Sequence, residues 1–223
     1  MYRLVNIPQD FWYLVDKRKY KKRNESLISL YMSKIFILSG HSGVGKNTIF
    51  RLLERDLSDF FRVVTCTTRK PRPGEVDGKD YFFLTDQEFK DRIAENRFLE
   101  YAHVHDWFYG TPLDEIEKAE KLGKNILLTI DVQGATKIKR ERPETIIIFL
   151  KYAGDNLEQL IRDRIGRESA RDLSEDEVKR RIVSAKKEAE YVKYYDFVVE
   201  NPEGHPEAAV EEIEGIIESK LVS

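Results

Sequence analysis

The chain has 223 residues, 41% of them apolar and 35% charged, with a formal net charge of −2. That length suits one α/β domain with a smaller insert, and the near balance of charge excludes nucleic acid or acidic lipid as the partner the whole chain is built for. A single cysteine, Cys66, excludes an intrachain disulfide framework and points to a reducing compartment such as the cytoplasm. No stretch reads as a membrane span or a secretory leader.

The first segment differs from the rest. Residues 1–33 hold 7 Lys+Arg against 3 Asp+Glu, with Lys17, Arg18, Lys19, Lys21, Lys22 and Arg23 clustered after Phe11, Trp12 and Tyr13. We read it as a basic, solvated, partly ordered extension, the alternative being a docking arm for an anionic surface. Its acids, Asp10, Asp16 and Glu25, set it apart from acid-poor transit peptides.

A regular alternation then begins. An apolar run at 34–39 predicts a buried parallel strand, and helical spacing predicts a helix over 46–57. Between them lies Gly40-His41-Ser42-Gly43-Val44-Gly45-Lys46-Asn47-Thr48. Glycines let this backbone curl until several N–H groups aim at one anion. The helix adds its positive end, and Lys46 adds a full charge for the outer phosphates. Strand, glycine loop and helix in this order form a phosphate-binding P-loop, so residues 40–48 are candidate ligands for a nucleotide's phosphates, which the family resemblance given below identifies with those of ATP.

A second strand is predicted over 61–66, with Cys66 as a small core residue. Residues 67–111 change character: Pro71, Pro73, Gly74 and Gly78 punctuate short aromatic β runs at 81–83 and 98–101. One short helix there opens with Thr85 and Glu88 in capping-box spacing. This block reads as a small mixed-β insert. Pro112 opens a helix that Gly123 closes. Strands follow at 126–131, ending in Asp131, at 145–150 and at 197–199. Helices are predicted at 134–140, from 157, and from 208 to 221, with a polar link over 166–173. A long helix opens with Ser174 and Glu177 and carries Val178, Ile182, Ala185, Ala189 and Val192 on one face. Buried strands alternating with helices predict a parallel sheet covered on both faces, with ligands at the carboxyl ends of its strands.

The insert holds Thr65, Arg69, Arg72, Tyr81, Glu100, Tyr109 and Thr111 within it or at its edges. Two forked guanidiniums and two phenols suit a phosphate monoester. A carboxylate at Glu100 accepts two parallel hydrogen bonds, and guanine offers a matched N1–H and N2–H₂ pair. Adenine would leave that carboxylate unpaired, a mismatch that discriminates by on the order of 10⁴.

The stretches at 65–75, 77–81, 98–100, 109–111 and 130–134 resemble the guanylate kinase family in order and spacing, and the resemblance covers about residues 34–221. It implies a P-loop core over 34–66 and 112–223, a lid at about 155–190, and a GMP-binding insert at 67–111. The implied reaction transfers the γ-phosphoryl group of ATP, with Mg²⁺, to GMP or dGMP. By the same resemblance Arg69, Arg72, Tyr81 and Tyr109 hold the GMP phosphate, and Thr65, Glu100 and Thr111 read the guanine. Asp131 faces the cleft, Lys46 and Arg69 serve catalysis with the lid arginines Arg164, Arg167 and Arg181, and Asn201 approaches the adenine. Asn47, Thr48 and Asp131 are the candidate metal ligands. Three positions depart from the family pattern: Asn47 replaces a small or hydroxyl residue, Thr129 an acid, and His41 a common proline. The expected protein acts on small molecules as a monomer or homodimer, with no nucleic acid or membrane partner. The alternative is a binding module of the same fold that has lost turnover.

Overall fold

The computed structural model describes residues 33–222 except 42, 105, 155 and 169–174, and for 164–168, 177 and 181 only the backbone. The basic segment, all but its last residue, and the Ser174 capping box lie outside the described residues.

Five strands form one parallel sheet in the order β2 (Phe60–Arg62), β7 (Asn125–Thr129), β1 (Ile35–Gly40), β8 (Ile146–Tyr152), β9 (Phe197–Asn201). Alternation along β1 explains why the sheet is covered twice. Phe36 and Leu38 pack on one face with Ile49, Phe50 and Leu53 of α1 (Lys46–Asp56) and Val210, Ile213 and Ile217 of α7 (Pro206–Leu221). Ile35 and Ile37 pack on the other face with Ile116 of α3 (Leu113–Lys121) and with Ala135 and Ile138 of α4 (Val132–Glu141). A strand buried on both faces needs no polar alternation, so its sequence is one apolar run.

The predicted second strand is in fact two. β2 pairs with β7 in the parallel sheet, whereas β3 (Cys66–Thr67) belongs to a separate four-stranded sheet ordered β4 (Phe82–Phe83), β3, β6 (Trp107–Pro112), β5 (Phe98–Val104). The chain changes sheets over Val63–Thr65, which apolarity alone does not reveal because both ends are buried. α2 (Asp86–Ala94) packs Phe89 under the second sheet, stacked on Phe98 and Phe108 at 4.5 and 5.3 Å. Its predicted capping box is present, with Thr85 and Glu88 each serving the other's backbone N–H.

The remaining helices are α5 (Leu157–Glu168) and α6 (Glu175–Glu188), whose Ile161, Val178, Ile182 and Ala185 make a small core of their own. The predicted long helix stops short at Glu188. From Ala189 to Tyr194 the chain tightens into a 3₁₀ turn, leaving Ala189 exposed rather than on the apolar stripe. No helix among the described residues is long and apolar enough to cross a membrane.

Candidate active site

The carboxyl ends of β7 and β1 stand side by side and lead into Asp131 and the P-loop, and β9, beyond β8 in the same sheet, ends in Asn201. The loop's shape depends on glycine. Gly40 has φ +144°, and a Cβ there would lie 2.1 Å from the Leu150 carbonyl oxygen, so no other residue fits. Gly45 caps α1 at φ +97° without a side-chain acceptor, which leaves the first N–H groups of the helix for an incoming anion. Lys46 Nζ donates to the carbonyls of Gly40 at 2.5 Å and His41 at 2.8 Å, bracing the loop from inside. Asn47 and Thr48 are exposed on the first turn of α1. Asn201 Nδ2 donates to the Val44 carbonyl at 2.8 Å, and its Oδ1 is buried without a partner. A cleft of about 240 Å³ opens there, lined by Val44, Gly45, Thr48, Tyr152, Asn201 and Pro206 among others.

The second sheet brings two further groups together. The first is a candidate anion site. Arg69 makes paired bonds of 2.8 and 2.9 Å to Glu75 and lies 5.5 Å over the Tyr81 ring, which meets Tyr109 edge-on at 6.1 Å. Burial works against the Arg69 charge, but Glu75 and Tyr109 outweigh it and raise its pKa. Burial likewise pushes the Tyr81 hydroxyl up to about 12, so it stays protonated and able to donate. The second group is a candidate base site. Glu100 is 3% exposed, and its Oε1 accepts from Thr111 Oγ1 at 2.6 Å across the β5–β6 ladder. Burial raises its carboxyl to about 7, Asp131 adds to the rise, and Thr111 and Lys137 oppose it. Tyr109 and Thr111 are two apart on β6, so they share one face about 7 Å apart, a nucleotide's reach from phosphate to base.

Two working residues, Glu75 and Gly134, were not legible in the residue types, nor was the capping role of Asp131. Glu75 takes both Arg69 nitrogens and also accepts the Arg72 backbone N–H at 2.7 Å; Gly74, at φ +84°, turns the chain back to let it do so. Gly134 lies against Glu100, where a Cβ would stand 2.7 Å from Oε2. A glycine in the first turn of an ordinary helix is a weak choice, which was the available signal. Asp131 is the N-cap of α4: its Oδ1 accepts from Gln133 N at 2.7 Å and Gly134 N at 3.0 Å. Thr65 is buried between β2 and β3, its carbonyl held by Phe82 N at 2.8 Å. The predicted ligand Ser42 and the side chains of Arg164, Arg167 and Arg181 lie outside the described residues.

A braced phosphate loop on a parallel sheet, with an arginine–tyrosine anion site and a buried carboxylate on an adjoining sheet, defines a P-loop phosphotransferase of the nucleoside monophosphate kinase class. A family model described as guanylate kinase matches residues 32–220. The chain is 42% identical over 183 residues to the guanylate kinase of Caldanaerobacter subterraneus subsp. tengcongensis, covering 82% of this chain and 85% of that one. It is 44% identical over 184 residues to that of Clostridium perfringens, with 82% of each covered. The crystal structure of guanylate kinase from Anaplasma phagocytophilum superposes with a TM-score of 0.68 at 27% identity, over 86% of this chain and 88% of that one. The chain belongs to the guanylate kinase family, and its activity is ATP:GMP phosphotransfer. The binding-module reading finds no support in these relatives.

Proposed function

We propose that GMP lies along β6, with its phosphate on Arg69, Arg72, Tyr81 and Tyr109 and its guanine against Glu100, Thr111 and Thr65, while the triphosphate of ATP sits on residues 40–48. The observation that carries this reading is Glu100, a buried carboxylate fixed at one oxygen by Thr111 and walled by Gly134 at the other. Charge buried in this way is costly unless a partner arrives with donors. The N1–H and N2–H₂ edge of guanine supplies two.

Transfer asks for placement and positive charge more than covalent chemistry. Lys46, now bonded to its own loop, turns its ammonium to the donor phosphates when they displace the Gly40 and His41 carbonyls. Arg69, held by Glu75, offsets repulsion between the two anionic substrates. Residues 67–111 act as the GMP-binding part and about 155–190 as a lid, whose Arg164, Arg167 and Arg181 complete the positive cradle and exclude water. Asn201 and the cleft beside it take the adenine.

Asn47, Thr48 and Asp131 offer an amide, a hydroxyl and a carboxylate, all hard oxygen donors suited to Mg²⁺. Among the described residues no group of three or more His, Cys, Asp or Glu side chains is placed to hold a metal. The ion would therefore rest mainly on phosphate and water with one or two of these donors, and it would supply neutralising charge to the phosphates. The GMP phosphate needs no general base.

The test is a substrate panel. With ATP and Mg²⁺ the full chain is expected to phosphorylate GMP and dGMP, and to use AMP, UMP and CMP at least about 10³-fold less efficiently. Comparable use of AMP would overturn the assignment of Glu100.

A further inference from the structure

The phosphate loop carries one side chain that phosphate binding does not employ. The backbone of His41 belongs to the loop, and its carbonyl accepts Lys46 Nζ at 2.8 Å. Its ring goes elsewhere: Nδ1 lies 3.0 Å from the carbonyl oxygen of Ala185, 144 residues along the chain. A carbonyl can only accept, so Nδ1 carries the proton of this bond. The ring is 5% exposed and meets Phe149 edge-on at 5.0 Å; Phe149 in turn meets Tyr195 at 5.1 Å.

Ala185 lies in the last turn of α6, where carbonyls run out of helical donors as the chain tightens into the 3₁₀ turn at Ala189. Apolar packing of Val178, Ile182 and Ala185 against α5 is not directional, and the Arg162–Glu175 bonds of 2.7 and 3.1 Å hold only the start of α6, so neither sets the slide and roll of its last turn. A hydrogen bond to one named carbonyl is directional and fixes both. Arg181 is four residues before Ala185, so the two stand one turn apart on the same stripe of α6.

We propose that His41 is a positioning residue: its ring N–H pins the last turn of α6 to the phosphate loop and thereby sets where Arg181 stands relative to the donor phosphates. The proposal rests on the lid role given to Arg181 above. It also makes one residue the mechanical link between the phosphate loop, to which its backbone belongs, and α6, bonded to its ring.

The test uses side-chain geometry. An asparagine amide nitrogen is as many bonds from Cα as Nδ1, whereas a glutamine amide nitrogen matches Nε2. In the full chain, His41→Ala and His41→Gln are expected to lower kcat about tenfold or more, with KM for GMP within about twofold. His41→Asn is expected to stay within about threefold of the parent. In an Arg181→Ala background, His41→Ala should cost less than about twofold further, because the group it positions is gone. Equal behaviour of the Asn and Gln variants, or a full His41→Ala effect persisting without Arg181, would overturn the proposal. Arg181→Ala with unchanged kcat would sink the lid role and this inference with it. Should thermal melting show that His41→Ala does not fold, the Asn–Gln comparison carries the test alone.

Discussion

At the scale of single residues, the role proposed for Glu100 is to distinguish one purine from another. Its carboxyl is raised to about 7 in the free protein, first by burial. Accepting two donors from guanine requires the ionised form, so the complex holds this group at a lower pKa than the free site. GMP binding below about pH 7 therefore releases a proton, and affinity rises with pH until it levels off near 7. The sign for stability is the reverse: ionising the empty site is unfavourable, so this group's contribution to the free protein declines as pH climbs from the ordinary carboxylate range through 7. Calorimetry of GMP binding at pH 6, in buffers of differing ionisation enthalpy, is expected to show net proton release, with none at pH 8. Glu100→Gln should remove this pH dependence and lower kcat/KM for GMP by about 10²–10⁴, since an amide sets its own donors against those of the base. ATP binding should change less than about twofold. Matched losses for both nucleotides would show that residue 100 does not read the base.

At the scale of elements, β5 and α4 meet at a point with no room to spare. A Gly134→Ala methyl would press on the Glu100 carboxylate at 2.7 Å and on Ile130 at 3.2 Å. α4 cannot back away easily, because Asp131 fixes its first turn and Ala135 and Ile138 are packed in the core. The expected outcome is at least a tenfold rise in KM for GMP together with a stability loss of about 1–3 kcal/mol. Thr85→Ala is the matched control: it removes the capping box of α2 and should cost about 1 kcal/mol in melting experiments while KM stays put. The same elements show what could be read from the chain beforehand. The P-loop was legible because glycine, lysine and an apolar strand each serve one local need there. The cap at Thr85 was legible for the same reason. Sheet membership was not: Phe61 and Cys66 look alike in sequence, yet one pairs in the parallel sheet and the other in the separate four-stranded sheet, and only long-range partners decide. The roles of Glu75, Gly134 and the His41 ring also depend on neighbours 6, 34 and 144 residues away, distances over which pattern carries no information.

At the scale of the whole molecule, the two anion pockets proposed above lie on different sheets. The loop pocket follows β1, and the arginine–tyrosine pocket is framed by β3, β4 and β6. Each is braced by its own network: Lys46 and Asn201 hold the loop, and Glu75 holds Arg69. Separate networks predict separable ligand effects. A ligand that binds only the folded state adds RT ln(1 + [L]/Kd), about 2.7 kcal/mol at a hundredfold excess over Kd. In the parent, a non-hydrolysable ATP analogue with Mg²⁺ and GMP should each raise the melting temperature. Lys46→Ala should lose most of the ATP-analogue shift and retain the GMP shift, while turnover falls by about 10³ or more. Glu100→Gln should do the converse. Adding both ligands to the parent should give at least the sum of the two shifts, because the lid arginines proposed above, once ordered by one nucleotide, would already be in place for the other. A Lys46 variant that lost both shifts would mean that the two pockets form one cooperative unit, and the division of labour argued here would fail.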